Sequence, residues 1–378
     1  MNIILHVGQA KTGTTSIQKS LRSFYQPCLE AGVLYPVKGN FREQHHLIEL
    51  GFTQRKRMRF VNTGSMPSPL IKPAFKKSDF KLFWERLGET IQTHRPDTVI
   101  LSSEMLFKDF SDIETKPGAL RGLLASLAPD TRVTVVAYIR SPRSWFIANA
   151  QQLFRQNFQI PRHRLYAAVK HSISYYLKEF PGQVRLHNYD QLAKQPGGTL
   201  AHFIQQYAPQ LAHLRLEQTG LTQENQSISI EILSQLYASY ARLDSWSLGP
   251  LRPYLAWSAR DSSQSTTNGV RSPLQINPSS QVADSHWLRG YLWLRENHGV
   301  AFEDDPWLIA MNANDKELTT SLPATPNASD VFALDQPTID LTRNHLMGRL
   351  IKSTPKLVGH LLSLEKRAMA IRFKNEAN

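Results

Sequence analysis

Hydroxyl side chains, a lysine and two glycines crowd into one short run near the start of the chain, Gly8-Gln9-Ala10-Lys11-Thr12-Gly13-Thr14-Thr15-Ser16. Such a set suits an anion. Glycine lets the backbone approach a ligand closely, the hydroxyls donate hydrogen bonds, and Lys11 brings a full positive charge. Ahead of the run, Ile3-Ile4-Leu5 with Val7 predicts a short buried strand. Behind it, Thr14-Thr15-Ser16 open a helix carried by Ile17, Leu21 and Phe24. Strand, glycine loop and helix start together aim backbone N–H groups and the positive end of the helix dipole at a phosphate. The spacing speaks against a nucleoside-triphosphatase loop, whose lysine directly follows the second glycine. Here Thr14 fills that place, and Lys11 lies two residues before Gly13.

A second fixed cation, Arg140, ends the most apolar run of the chain, Val133 to Ile139, and is followed by Pro142 and a helical pattern. A guanidinium offers permanent charge and two-pronged contact with a phosphate. Proton transfer has three candidates. His45 and His46 titrate near neutrality without help. Glu104, just past the apolar run Thr98–Leu101, needs desolvation to hold a proton there.

The pattern K-[ST]-G-T-[ST] after a first strand, here Lys11 to Thr15, resembles the 5′-phosphosulfate loop of sulfotransferases that use 3′-phosphoadenosine 5′-phosphosulfate (PAPS). Arg140 with Pro142 and a following helix resembles the second signature of that family, in which an Arg and a Ser eight residues later hold the 3′-phosphate. This chain departs at the serine: the eighth residue is Ala148, and Ser144 and Asn149 are the candidate replacements. The resemblance spans about residues 1–240. It implies PAPS as cosubstrate, held by Gln9, Ala10, Lys11, Thr12, Gly13, Thr14, Thr15, Ser16 and Arg140 together with Ser144 or Asn149. It implies Lys11 as the group that stabilises the leaving 5′-phosphate, and a hydroxyl-bearing acceptor, a carbohydrate or cell-envelope glycan. The base is His46, Glu104 or His45, in that order: heparan-type members carry a His after the second strand, and Ser-x-Glu ending at Glu104 looks like bacterial carbohydrate sulfotransferases. The glycine-rich C-terminal loop of the cytosolic branch is absent. No metal is implied, since a sulfuryl group carries less charge than a γ-phosphoryl and Thr98–Leu101 ends in Ser-Ser-Glu rather than a Walker-B aspartate. Two other classes stay open: a P-loop kinase or NTPase, and a non-enzymatic basic module for membrane or nucleic acid.

The elements that must position these residues alternate. Strands are expected at Ile3–Val7, Gly32–Pro36, Thr98–Leu101, Val133–Ile139 and Val184–His187. Helices are expected from Thr14, near Asn40–Leu50, over Ser78–Thr93 with Ser78 as N-cap, and over 119–127, 143–156, 165–178 and 200–207. Alternation of this kind predicts an α/β, P-loop-like three-layer fold, a mostly parallel sheet between helices, with ligands at the carboxyl ends of the strands. Beyond about residue 215 the strand signal fades. The division expected is a PAPS-binding core over 1–215 and a mainly helical extension over 216–378, with helices at Ile228–Tyr240, Trp287–Asn297 and Leu341–Phe373 and polar loops at Ser258–Ser285 and Thr319–Gln336.

Composition bounds the rest. The chain has 378 residues, 41% hydrophobic and 10% aromatic, which fits a globular protein and speaks against global disorder. No run approaches the ~20 apolar residues of a membrane span, and a core strand at the N-terminus predicts no signal peptide. One cysteine, Cys28, predicts no internal disulfide, a reducing cytoplasm and a packed core thiol rather than a nucleophile. A net charge of +13 favours anionic partners. The basic Leu341–Phe373 stretch carries two readings, a solvated face or peripheral contact with an anionic membrane. Nucleic acid is not expected, because no binding motif accompanies the charge.

Overall fold

The computed structural model describes residues 1–37, 45, 47–53, 57–58, 75–107, 116–128, 130–154, 160–216, 233–234, 237, 275–277, 281–314, 320–334, 336–337 and 339–340. His46, the Leu341–Phe373 helix and most of the Ile228–Tyr240 helix and the Ser258–Ser285 loop lie outside the described residues.

Five strands form one sheet: β1 (Asn2–His6), β2 (Val33–Leu34), β5 (Thr98–Ser102), β6 (Arg132–Ile139) and β7 (Val184–Asn188), in the order β2-β5-β1-β6-β7. Every pairing is parallel, as the strand-helix alternation predicts. A separate antiparallel pair, β3 (Arg57–Met58) with β4 (Phe75–Lys76), stands apart from it. β1 lies at the centre, and its run is apolar on both faces because both are covered. Ile3, Leu5 and Val7 face one side, and Ile4 with His6 the other. On the second side pack α1 (Thr14–Ser23), α2 (Tyr25–Glu30), α8 (Tyr189–Ala193) and α9 (Gly198–Tyr207), through Ile17, Leu21, Cys28, Leu192, Leu200 and Phe203. On the first side pack α3 (Ile48–Phe52), α4 (Lys77–His94), α5 (Ala119–Ala125), α6 (Pro142–Phe154) and α7 (Val169–Glu179). Each fully buried Leu, Ile or Phe contributes roughly 1.5–3 kcal/mol.

The same first-side core runs on into the later part of the chain. Trp287, Leu288, Tyr291 and Leu294 of α10 (Ser285–His298), Leu308 of α11 (Pro306–Asn314) and Val331 of α12 (Ala328–Val331) join the cluster that holds Leu5, Val135 and Phe146. α10 lies against α7 and α11 against α6.

Several expectations need correction. α4 begins at Lys77, not after a Ser78 cap: Lys76 is the N-cap, and its backbone N–H donates to the Asp79 carboxylate at 2.7 Å. The helix predicted from 165 begins only at Val169, because Arg162–Leu165 closes a 3-10 turn first. Of the predicted Asn40–Leu50 helix the described part is α3 alone, starting at Ile48. The stretch 319–336, expected to be mostly polar loop, carries one short helix, α12, which Asn327 and Asp330 start with a capping box.

Candidate functional site

Reversal of strand order puts the carboxyl ends of β1 and β6 side by side, where α/β sheets bind their ligands. The loop after β1 and Arg140 after β6 meet there. Two positions in the loop adopt left-handed backbone, Lys11 at φ 70° and Gly13 at φ 78°. For Lys11 that conformation costs on the order of 1 kcal/mol or more. Alternation of left-handed and ordinary residues is the pattern of anion-binding backbone nests. Gly13 is the N-cap of α1, and no side chain caps the helix start. Gly8 makes a close approach: a Cβ there would stand 2.2 Å from the Thr14 hydroxyl. Thr14 Oγ1 and Ser16 Oγ are buried and have no hydrogen-bond partner. Such atoms are rare in folded proteins, and two hydroxyl donors at a glycine loop and helix start fit a bound anion. Thr15 is half-buried beside them. Thr12 spends its hydroxyl inside the loop, donating to the Gln9 carbonyl at 2.6 Å.

Arg140 is tied to this loop. Its backbone N–H donates to Gln9 Oε1 at 2.8 Å, and its Nη1 to the Lys11 carbonyl at 3.2 Å. Its Nε donates to Ser144 Oγ at 2.7 Å. Of the two expected substitutes for the missing serine, Ser144 therefore meets the guanidinium. Asn149 turns away and donates to the Arg164 carbonyl at 2.9 Å. The Ala10 carbonyl accepts from Trp145 Nε1 at 3.0 Å, which clamps the loop to α6.

Four further residues reach the site. Asp190 accepts from Ser141 N at 2.6 Å and lies 3.9 Å from Arg140 Nε, with Tyr189 under the guanidinium at 5.4 Å. Asp305 accepts from Arg143 N at 3.0 Å and also from Trp307 and Leu308 N. Burial raises its carboxyl above the usual range, against the pull of these donors. Tyr291 accepts from Gln9 Nε2 at 3.3 Å. Asp190 and Tyr189 left a faint signal, a carboxylate and a ring just past a predicted strand. Tyr291 and Asp305 left none, since tertiary packing alone brings them in.

Of the three base candidates, the two among the described residues, Glu104 and His45, differ in setting. Glu104 is half-buried in the turn after β5. Burial raises its carboxyl above the usual range and the Lys11 ammonium draws it partly back, so the lysine and the acid share one electrostatic environment. His45 is buried with both ring nitrogens engaged: Nδ1 accepts from Ser102 N at 2.8 Å and Nε2 donates to the Pro36 carbonyl at 2.9 Å. Burial pushes its pKa down to about 4. No lone pair remains for an acceptor hydroxyl, so in this geometry His45 holds structure rather than moving protons. Cys28 is buried, and burial pushes its thiol up to about 12, which leaves it unreactive. Among the described residues no three His, Cys, Asp or Glu side chains are arranged to hold a metal ion, and no helix is long and apolar enough to cross a membrane.

No protein-family model and no curated protein matches the chain. Among solved structures, a sulfotransferase from Alicyclobacillus acidocaldarius matches 53% of this chain and 78% of its own, at 17% identity and a TM-score of 0.28. A likeness that slight carries no argument.

Proposed function

We propose that the chain is a PAPS-dependent sulfotransferase that moves a sulfuryl group to a hydroxyl of a carbohydrate or cell-envelope glycan. One observation carries the reading: the Arg140 guanidinium donates to the Lys11 carbonyl, which brings it against the loop that bears Lys11 and the buried, unpartnered hydroxyls of Thr14 and Ser16. A lysine and an arginine at neighbouring strand ends suit a ligand with more than one anionic group. Lys11, poised in a left-handed turn, supports the negative charge that grows on the leaving 5′-phosphate as the S–O bond breaks. Arg140, steadied by Ser144, takes the 3′-phosphate. Glu104 accepts the proton of the attacking hydroxyl, because burial makes it more basic than an ordinary carboxylate while the Lys11 ammonium draws its pKa partly back. A net charge of +13 supports an acidic glycan as acceptor.

The test is calorimetric binding of 3′-phosphoadenosine 5′-phosphate, with Mg-ATP as the control for a kinase or NTPase. Expected is binding without metal, weakened at least tenfold in Lys11→Ala and Arg140→Ala. No affinity in the wild type, or none lost in both variants, overturns the reading.

A further inference from the structure

We infer that Tyr291, far along the chain in α10, is a positioning residue for the anion cradle, acting through the amide of Gln9. This rests on the reading of the cleft as a nucleotide site. Gln9 is 1% exposed and sits at the base of the loop. Its amide oxygen accepts from Arg140 N at 2.8 Å, and its nitrogen donates to Tyr291 Oη at 3.3 Å. A backbone N–H can only donate, so the orientation of the amide is fixed by Arg140 rather than assumed. The –NH2 must then face Tyr291. Gln9 thus bridges the ends of β1 and β6, and the tyrosine decides whether the bridge is held at its far end.

Tyr291 is itself buried and immobilised. Its ring packs edge-on against Trp287 at 5.4 Å and Phe302 at 5.8 Å. Burial raises its pKa, with Asp305 and Asp190 adding to the shift, so the hydroxyl stays neutral and keeps its proton. Both of those aspartates also hold the start of α6, through Arg143 N and Ser141 N. The buried hydroxyl therefore holds the far end of one contact, Gln9 to Arg140 N, that sets where Arg140 emerges. Loss of it leaves the Gln9 amide with an unmet donor and freedom to rotate away from Arg140.

Tyr291→Phe removes the hydroxyl and leaves the ring packing. Expected is a folded protein with a roughly 3- to 10-fold weaker affinity for 3′-phosphoadenosine 5′-phosphate, the loss of one buried hydrogen bond, and an unchanged KM for the acceptor. Hydrogen exchange of the Arg140 amide should speed up by a similar factor, while amides of residues 285–298 keep their wild-type protection. Gln9→Met, which removes both bonds without touching α10, should do the same, and the double variant should add nothing further. Wild-type exchange at Arg140 in Tyr291→Phe, with Gln9→Met as the positive control, overturns the inference. If the wild type fails to bind the nucleotide at all, the sulfotransferase reading falls, and the exchange measurement still decides the role of Tyr291.

Discussion

The backbone N–H of Ser102 donates to Nδ1 of His45 at 2.8 Å, which pins the end of β5, and with it Glu104, to the segment after β2. Ser102 is a junction. Its hydroxyl meets His6 Nδ1 at 2.9 Å and accepts from Gln18 Nε2 at 3.0 Å. The histidine that resembled a base on type and position is used instead to fix the strand end that carries another candidate.

That use has a pH signature. The unfolded ring binds a proton below its ordinary 6.5, the folded ring only below about 4. Between those values the unfolded state holds more protons, so the stabilisation is fully present above 6.5 and is lost as pH falls toward 4. His6, pushed by burial to about 3, acts in the same direction. At 1.36 kcal/mol per unit, His45 alone costs about 2 kcal/mol by pH 5. Urea unfolding at pH 7 and pH 5 should show that fall in the wild type and a smaller one in His45→Asn. An equal fall in both would show that His45 is not its source.

Gly8 offers a second test, of the tightness of the loop. A methyl at Gly8 would meet Thr14 Oγ1 at 2.2 Å, whereas its next neighbour, the His6 ring, stands at 3.2 Å. Gly8→Ala should therefore destabilise the protein by about 1–3 kcal/mol through overpacking. In a Thr14→Ala background the obstructing oxygen is gone, and the same substitution should cost at least ~1 kcal/mol less. Additive losses in the double-mutant cycle would place the damage elsewhere.

Much of this was legible in the sequence, for a physical reason. Ile3, Leu5 and Val7 announce a strand because a parallel sheet buries both faces, and Lys11, Gly13 and Arg140 announce an anion site because few other tasks gather those types at strand ends. The α/β class follows from the same local signals. Orientation was not legible. Nothing local says that both nitrogens of His45 meet backbone, or that Asn149 turns to Arg164 while Ser144 turns to Arg140. Nor does any pattern near Tyr291 or Asp305 link them to residues 9 and 143, since such contacts exist only once α10 and α11 have docked.

Asp190 bears on the cleft with the opposite sign to Arg140. Its carboxylate, half-exposed and 3.9 Å from Arg140 Nε, offsets part of the charge offered to a 3′-phosphate. Asp190→Asn can keep the bond from Ser141 N and lose only the charge. For a solvent-screened pair the gain is about 0.5–1 kcal/mol, roughly a 2- to 5-fold tighter binding of 3′-phosphoadenosine 5′-phosphate by that conversion. 5′-AMP, which lacks the 3′-phosphate, should bind with unchanged affinity, and the gain should shrink as salt is raised. A loss of affinity for both nucleotides would mean that Asp190 matters for structure alone.

Glu104 and Lys11 are coupled, and the coupling fixes the direction of a last prediction. A base works only when deprotonated, so turnover should fall as pH drops through the Glu104 pKa, which burial holds above the ordinary carboxylate range. Glu104→Gln should cut turnover by about 10²- to 10⁴-fold and leave nucleotide affinity within a factor of about two, below half a kcal/mol. Lys11 pulls that pKa down. Lys11→Met should therefore slow the chemistry through loss of leaving-group support and also move the Glu104 titration to higher pH. Carbon-13 NMR of the side-chain carboxyls, with Glu104→Gln to assign the signal, reads the shift without relying on residual activity. A titration that stays in place when the lysine is removed would separate the two residues and leave Glu104 without the partner that draws its pKa down.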